Sequence, residues 1–111
     1  MKTLSFIIPV YNKQDKLEKI FKALEHVKLP RALKLSKVIF VDDGSTDDTF
    51  ENLMRLARNF PGKFNMEIIS YKKHQGMNHA TREGIKNSSS VYTLIVDTNT
   101  SKFTLEGALR V

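Results

Sequence analysis

Val38-Ile39-Phe40-Val41-Asp42-Asp43-Gly44-Ser45 decides how this chain folds. Four apolar residues in a row, without polar alternation, read as a strand buried on both faces. The run ends abruptly in two carboxylates and a turn-forming Gly-Ser pair. Upstream, Leu4-Ser5-Phe6-Ile7-Ile8 is a second run of strand formers, closed by Pro9. Downstream, 66–71 and 91–96 are a third and a fourth.

Between these runs the hydrophobic period changes. Leu17, Ile20, Phe21, Leu24 and Val27 recur at helical spacing. Asn12 and Asp15 stand where a capping pair would start that helix, and Leu29-Pro30 where it would end. Phe50, Leu53, Met54, Ala57 and Phe60 form a second stripe that stops at Pro61-Gly62. A third helix is expected over 77–87, with Ala80 and Gly84 small enough for close packing on a sheet. One more helical turn is expected near 104–109. Buried strands separated by amphipathic helices imply right-handed crossovers. The predicted class is therefore α/β: a three-layer αβα unit, βαβαβαβ in order, with a mostly parallel sheet. No internal repeat or linker divides it, so residues 1–111 read as one domain.

Composition agrees. The chain has 111 residues, enough for one core. Its 41% apolar and 27% charged residues suit a globular chain rather than a disordered one. Without cysteine, disulfides, zinc-thiolate sites and a cysteine nucleophile are excluded together. No run approaches the roughly 18–20 apolar residues of a membrane span. The start of the chain is too short and too broken by Pro9 and Asn12 to be a secretion signal, and a strand is expected there. The net charge is +6, yet Lys13, Lys16, Lys19, Lys22, Lys28, Lys34 and Lys37 are spread out, several opposite the apolar stripe. That pattern is a solvated face, so no nucleic-acid partner is expected. A pull on phosphate-bearing ligands or lipid surfaces is the alternative.

In open parallel sheets, ligands collect beyond the C-terminal strand ends, where the strand order reverses. The unusual polar residues fall there: Pro9-Val10-Tyr11-Asn12 after the first strand, Asp42 to Asp47 after the second, and Asp97-Thr98-Asn99 after the fourth. Tyr11 offers a ring for stacking on a nucleobase. Asp42 can accept hydrogen bonds from a base, Asp97 can hold a divalent cation, and Arg82 can meet a phosphate as a fork. Each has a plainer reading. Ser45, Thr46 or Asp47 can simply cap the next helix, Tyr11 can pack at a rim, and Arg82 can be a surface residue. His26, His74 and His79 show no metal spacing and read as structural or exposed. The convergence of three strand ends favours a nucleotide diphosphate site. A phosphoacceptor signalling domain is disfavoured, since it wants its acidic pair after the first strand.

Phe6-Ile7-Ile8-Pro9-Val10-Tyr11-Asn12 followed by Val41-Asp42-Asp43-Gly44-Ser45-Thr46-Asp47-Asp48-Thr49 resembles the opening of the inverting family 2 glycosyltransferases of GT-A fold. Gly76-Met77-Asn78-His79-Ala80-Thr81-Arg82-Glu83-Gly84 is similar to a third family segment. Its form points to the branch with dolichyl-phosphate mannose synthase and the polyprenyl-phosphate glycosyltransferases. The resemblance runs from about Leu4 to Asn99. It implies a nucleotide-sugar donor, Mg or Mn, and an acceptor glycan or polyprenyl phosphate that attacks with inversion. It also implies that Pro9, Tyr11 and Asp42 line the base and ribose pocket, that Asp43 supports the turn, and that Asn12 and Gly76 belong to the donor site. Arg82 would approach the donor phosphates, and Asp97 and Asn99 would hold the metal.

Two departures stand out. Lys13 replaces the usual acidic residue, and Asn99 replaces the second metal carboxylate, which removes one unit of charge. No motif assigns a catalytic base, and the chain ends at Val111. The expectation is a donor-binding part, truncated or degenerate, with an exposed apolar sheet edge and self-association. A cytoplasmic place at a membrane surface is expected with it. The alternative is a non-catalytic nucleotide or nucleotide-sugar binding module.

Overall fold

A computed structural model describes residues 2–62 and 64–98. Its elements alternate as expected: β1 (Lys2–Val10), α1 (Leu17–Glu25), β2 (Leu33–Asp43), α2 (Thr49–Arg58), β3 (Asn65–Tyr71), α3 (Met77–Lys86) and β4 (Tyr92–Ile95). The four strands form one parallel sheet in the order β3-β2-β1-β4. The helical turn expected near 104–109 lies outside the described residues.

Side-chain alternation along β1 and β2 builds the two faces. Phe6, Ile8, Val10, Val38 and Phe40 point to one face, where they pack with Leu17, Ile20, Phe21 and Leu24 of α1 and Leu53 of α2. Ile7, Ile39 and Val41 point to the other, against Ala80 of α3. Both faces of the central strands are therefore dry, which explains their unbroken apolar runs. Ser5 is the polar exception, and its hydroxyl is met by Ser90. Ser90 also meets Ser36, which sits at a register shift in the β1–β2 pairing.

Several local expectations are corrected. Helix α1 begins at Leu17 and ends at Glu25, before Leu29-Pro30, and neither Asn12 nor Asp15 caps it. Asn12 sits at φ 51 with its carboxamide turned to another loop. On α2, Phe50 and Met54 stay exposed while Leu53, Leu56 and Ala57 face the core, as does Phe60 just past the helix. The reason is position: α2 packs on α1 and on the edge strand β3, with no further strand beneath its outer side among the described residues. β4 is not buried on both faces. Val91, Tyr92 and Ile95 are exposed, which is the expected apolar edge. Among the described residues no helix is long and apolar enough to cross a membrane.

Helix α3 lies directly on β1. A Cβ at Gly84 would stand 2.3 Å from Cγ2 of Ile7, a residue with no exposure and no room to swing aside. Alanine gains about 1 kcal/mol over glycine in a helix, but overpacking a filled core costs about 1–3 kcal/mol. Gly84→Ala should therefore destabilise, seen as a lower urea midpoint at unchanged slope; a raised midpoint would contradict this packing.

Tyr71, at the end of β3, keeps its hydroxyl oxygen buried beside the Asp43 carboxylate, short of a well-formed hydrogen bond among the described residues. Burial first, then the approach of its hydroxyl to the Asp43 carboxylate, then the charges of Asp43, Glu83 and Asp42, push its pKa above the usual phenol range. The folded state thus holds a proton that the unfolded chain releases, and stability falls as pH rises past about 10. Tyr71→Phe should leave neutral-pH stability equal or higher, since a buried hydroxyl short of a well-formed bond contributes nothing. It should also flatten the alkaline loss in denaturation curves taken across that range.

Candidate functional site

The strand order reverses beside β1, whose neighbours are β2 and β4. Beyond the C-terminal end of β1 lies a cavity of about 120 Å³. Its wall is Pro9, Val10 and Tyr11 from β1 and the residue after it, Asp43 from β2, His74 from the following β3–α3 loop, and Met77 and Ala80 from α3. The location is the one expected for a ligand in an open parallel sheet.

Asp43 organises this place. Its side chain is buried, and its Oδ1 accepts the N–H of Gln75 at 2.9 Å. Its Oδ2 accepts the N–H of Gly76 at 3.0 Å and lies 2.8 Å from Nδ1 of His74. A buried carboxylate is costly unless such donors surround it. Here it sits at the N-terminal end of α3, where the helix dipole also favours negative charge. Gly76 enters the helix at φ 101, and a Cβ there would meet nothing within 4 Å.

Asp42 is placed differently from expectation. The alternation that sends Ile39 and Val41 towards α3 sends Asp43 the same way, and turns Asp42 to the opposite face. There its Oδ1 accepts the N–H of Ser45 at 3.2 Å and its Oδ2 the hydroxyl of Ser70 at 3.3 Å. So Asp43 lines the cavity and Asp42 holds the turn, the reverse of the expected division. Pro9 and Tyr11 share the face of Asp43, because β1 alternates in register with β2.

The loops after β1 and β2 are joined across the strand ends. Asn12 donates its N–H to Ser45 Oγ at 2.9 Å and accepts the N–H of Thr46 at 2.8 Å through Oδ1. Lys13 donates its N–H to Thr49 Oγ1, and Asp48 its own to Gln14 Oε1, both at 2.9 Å. At Asp47 partial burial works against ionisation, but bonds from the hydroxyl and N–H of Thr49 win and lower its pKa. Asn12 is therefore a loop tie beside the cavity rather than part of its wall. The end of β4 is tied in by Thr98, whose hydroxyl donates to the Pro9 carbonyl at 3.2 Å.

The structure does not bring Arg82 to the cavity. It lies about 200° around α3 from the buried Ala80, exposed to solvent and without a hydrogen bond or ion pair among the described residues. Asp97 is exposed just past β4, and Asn99 lies outside the described residues. Among the described residues no group of three or more His, Asp or Glu side chains could hold a metal ion. A single carboxylate can hold a divalent cation only where ligand phosphates and water complete its shell. His74, read from the sequence as structural or exposed, stands on the cavity wall with its side chain half-exposed. Its ring stacks on Tyr11 with centroids 3.9 Å apart and planes at 30°. The only available signal was that its loop follows a strand ending at the same sheet edge.

The sequence profile of glycosyl transferase family 2 matches residues 5–99. Dolichol-phosphate mannosyltransferase of Pyrococcus furiosus is 30% identical over 94 residues, covering 85% of this chain and 25% of that protein. Glycosyltransferase AglE of Haloferax volcanii is 34% identical over 95 residues, covering 85% and 29%. The chain thus spans about a quarter of the length of these relatives. Among solved structures, the mannosyltransferase PcManGT of Pyrobaculum calidifontis, in complex with GDP-Man and Mn2+, superposes with a TM-score of 0.73 at 24% identity. It covers 85% of this chain and 26% of that one, and the likeness shows the fold. S. aureus TarS 1-349 in complex with UDP-GlcNAc gives 0.69 at 26% identity, over 87% of this chain and 26% of its own. With the strand order, the strand-end site and a match over nearly its whole length in agreement, the chain belongs to glycosyl transferase family 2.

Proposed function

We propose that this chain is the donor-binding part of an inverting glycosyltransferase, taking a nucleotide sugar whose base lies in the cavity against Tyr11. The observation that carries this reading is the joint placement of Tyr11 and Asp43 on one cavity wall at the end of the central strands. Tyr11 supplies an aromatic surface, and base–aromatic stacking contributes about 1–3 kcal/mol. Asp43 fixes the entry to α3, and the open space at Gly76 leaves that backbone free for close approach by a ligand. The relatives support the donor class: one structural neighbour holds GDP-Man with Mn2+ and another UDP-GlcNAc. Transfer to a glycan or polyprenyl phosphate, at a cytoplasmic membrane surface, belongs to the same proposal and draws on the dolichol-phosphate relative.

Asp97 is the candidate carboxylate for Mg2+ or Mn2+, with Asn99 beside it in sequence. The single described carboxylate assigns no metal step here. An amide in place of the second carboxylate also favours a second reading, a nucleotide-binding module without turnover.

Calorimetric titration with UDP- and GDP-sugars, with and without Mn2+, tests the assignment. Tyr11→Ala should weaken nucleotide binding about tenfold, the usual scale of one lost stacking contact; unchanged affinity would remove the base from this cavity. If Asn99 is a metal ligand, Asn99→Asp should tighten the Mn2+-dependent part of binding several-fold. Sugar transfer gained in that variant would favour the enzyme over the module.

A further inference from the structure

His74 joins the three loops of the cavity, yet nothing in the reading above uses it. Its Nδ1 faces Asp43 twice, at 2.8 Å from Oδ2 and 3.2 Å from the backbone carbonyl. Both are acceptors, so Nδ1 carries the hydrogen and the ring plane is set. The anchor is itself immobile, since the Asp43 carboxylate is held by two backbone N–H groups. The main chain of His74 is fixed as well. A Cβ on Gly44, at φ +67, would stand 2.4 Å from His74 N, so the turn after β2 rests on this backbone. The imidazole then covers one side of the Tyr11 ring, its plane tilted by 30°, while the tyrosine remains 38% exposed beyond the end of its strand.

We propose that His74 is a positioning residue that clamps one face of Tyr11, so that a nucleobase is offered a single, prealigned aromatic face. This rests on the assignment of the cavity to a nucleotide base. At 3.9 Å between centroids the rings are in full contact, whereas a base inserted between them would need about 7–8 Å. A base stacking on Tyr11 therefore takes the ring's other face. The clamp removes rotational freedom from Tyr11 before the ligand arrives, which lowers the entropic cost of binding. The sequence Asp43 to His74 to Tyr11 connects the ends of β2 and β1 through the β3–α3 loop, and it explains why a buried carboxylate stands at this point.

The clamp and an occluding placeholder differ in the sign of one measurement. Affinity is measured by calorimetry for a panel of UDP, GDP, CDP, ADP and dTDP on the whole chain, and the Tyr11 ring resonances are followed by NMR without ligand. His74→Ala and His74→Asn should each weaken binding about tenfold and shift the Tyr11 resonances towards those of a free ring. Asparagine keeps a donor for Asp43 but has no ring, so its failure isolates the stacking. His74→Phe, which keeps a ring but loses the bond to Asp43, should bind between His74→Ala and wild type. Tighter or unchanged binding in His74→Ala overturns the clamp while leaving the base pocket standing. A wild-type chain that binds none of the five nucleotides overturns the pocket assignment, and the clamp with it.

Discussion

A carboxylate taken out of water must be met by donors on every side, and Asp43 is where this protein meets that demand. The donors come from a different segment, the loop between β3 and α3, so satisfying one side chain dictates where that loop runs. The loop then starts α3 at Gly76, and α3 in turn covers the second face of the sheet. Breaking a buried charge cluster of this kind costs more than its bonds contribute in sum, because the remaining partners are left unsatisfied. The site and the fold are therefore held by the same atoms.

Around that centre, the strand ends are tied by ordinary polar contacts rather than by apolar burial. Asn12 stitches the loop after β1 to the loop after β2, and Thr98 stitches β4 back to Pro9. The apolar layers lie further down the strands, in the clusters around Phe6, Phe40 and Leu24 and around Ile7, Ile39 and Ala80. This separation lets the ends form a concave polar rim while the sheet beneath stays close-packed.

Much of this was legible beforehand. Unbroken apolar runs marked the central strands, helical spacing marked α1, and the small residues Ala80 and Gly84 marked the close face of α3. The misreadings have particular causes. Asn12 looks like a helix cap because capping residues are recognised by type and spacing, while its partners lie more than thirty residues away in Thr46 and Asp47. Phe50 and Met54 sit on an apolar stripe, but periodicity does not say that β3 is the edge strand among the described residues. His74 follows two lysines in a loop without periodicity, so nothing local set it apart.

From the amino-acid order alone came the alternation of strands and helices, the parallel sheet, and the set of strand ends that would carry a ligand. Burial patterns at periods of two and 3.6 are local properties, readable without coordinates. Which of two adjacent aspartates faces the cavity was not readable. A strand buried on both faces has no polar side to orient it, so its phase is set only when helices dock on each face. Docking sent Asp43 and Tyr11 to the side of α3, sent Asp42 to the other, and laid His74 on Tyr11. Those choices belong to long-range packing, because only contact between distant segments distinguishes one dry face from the other.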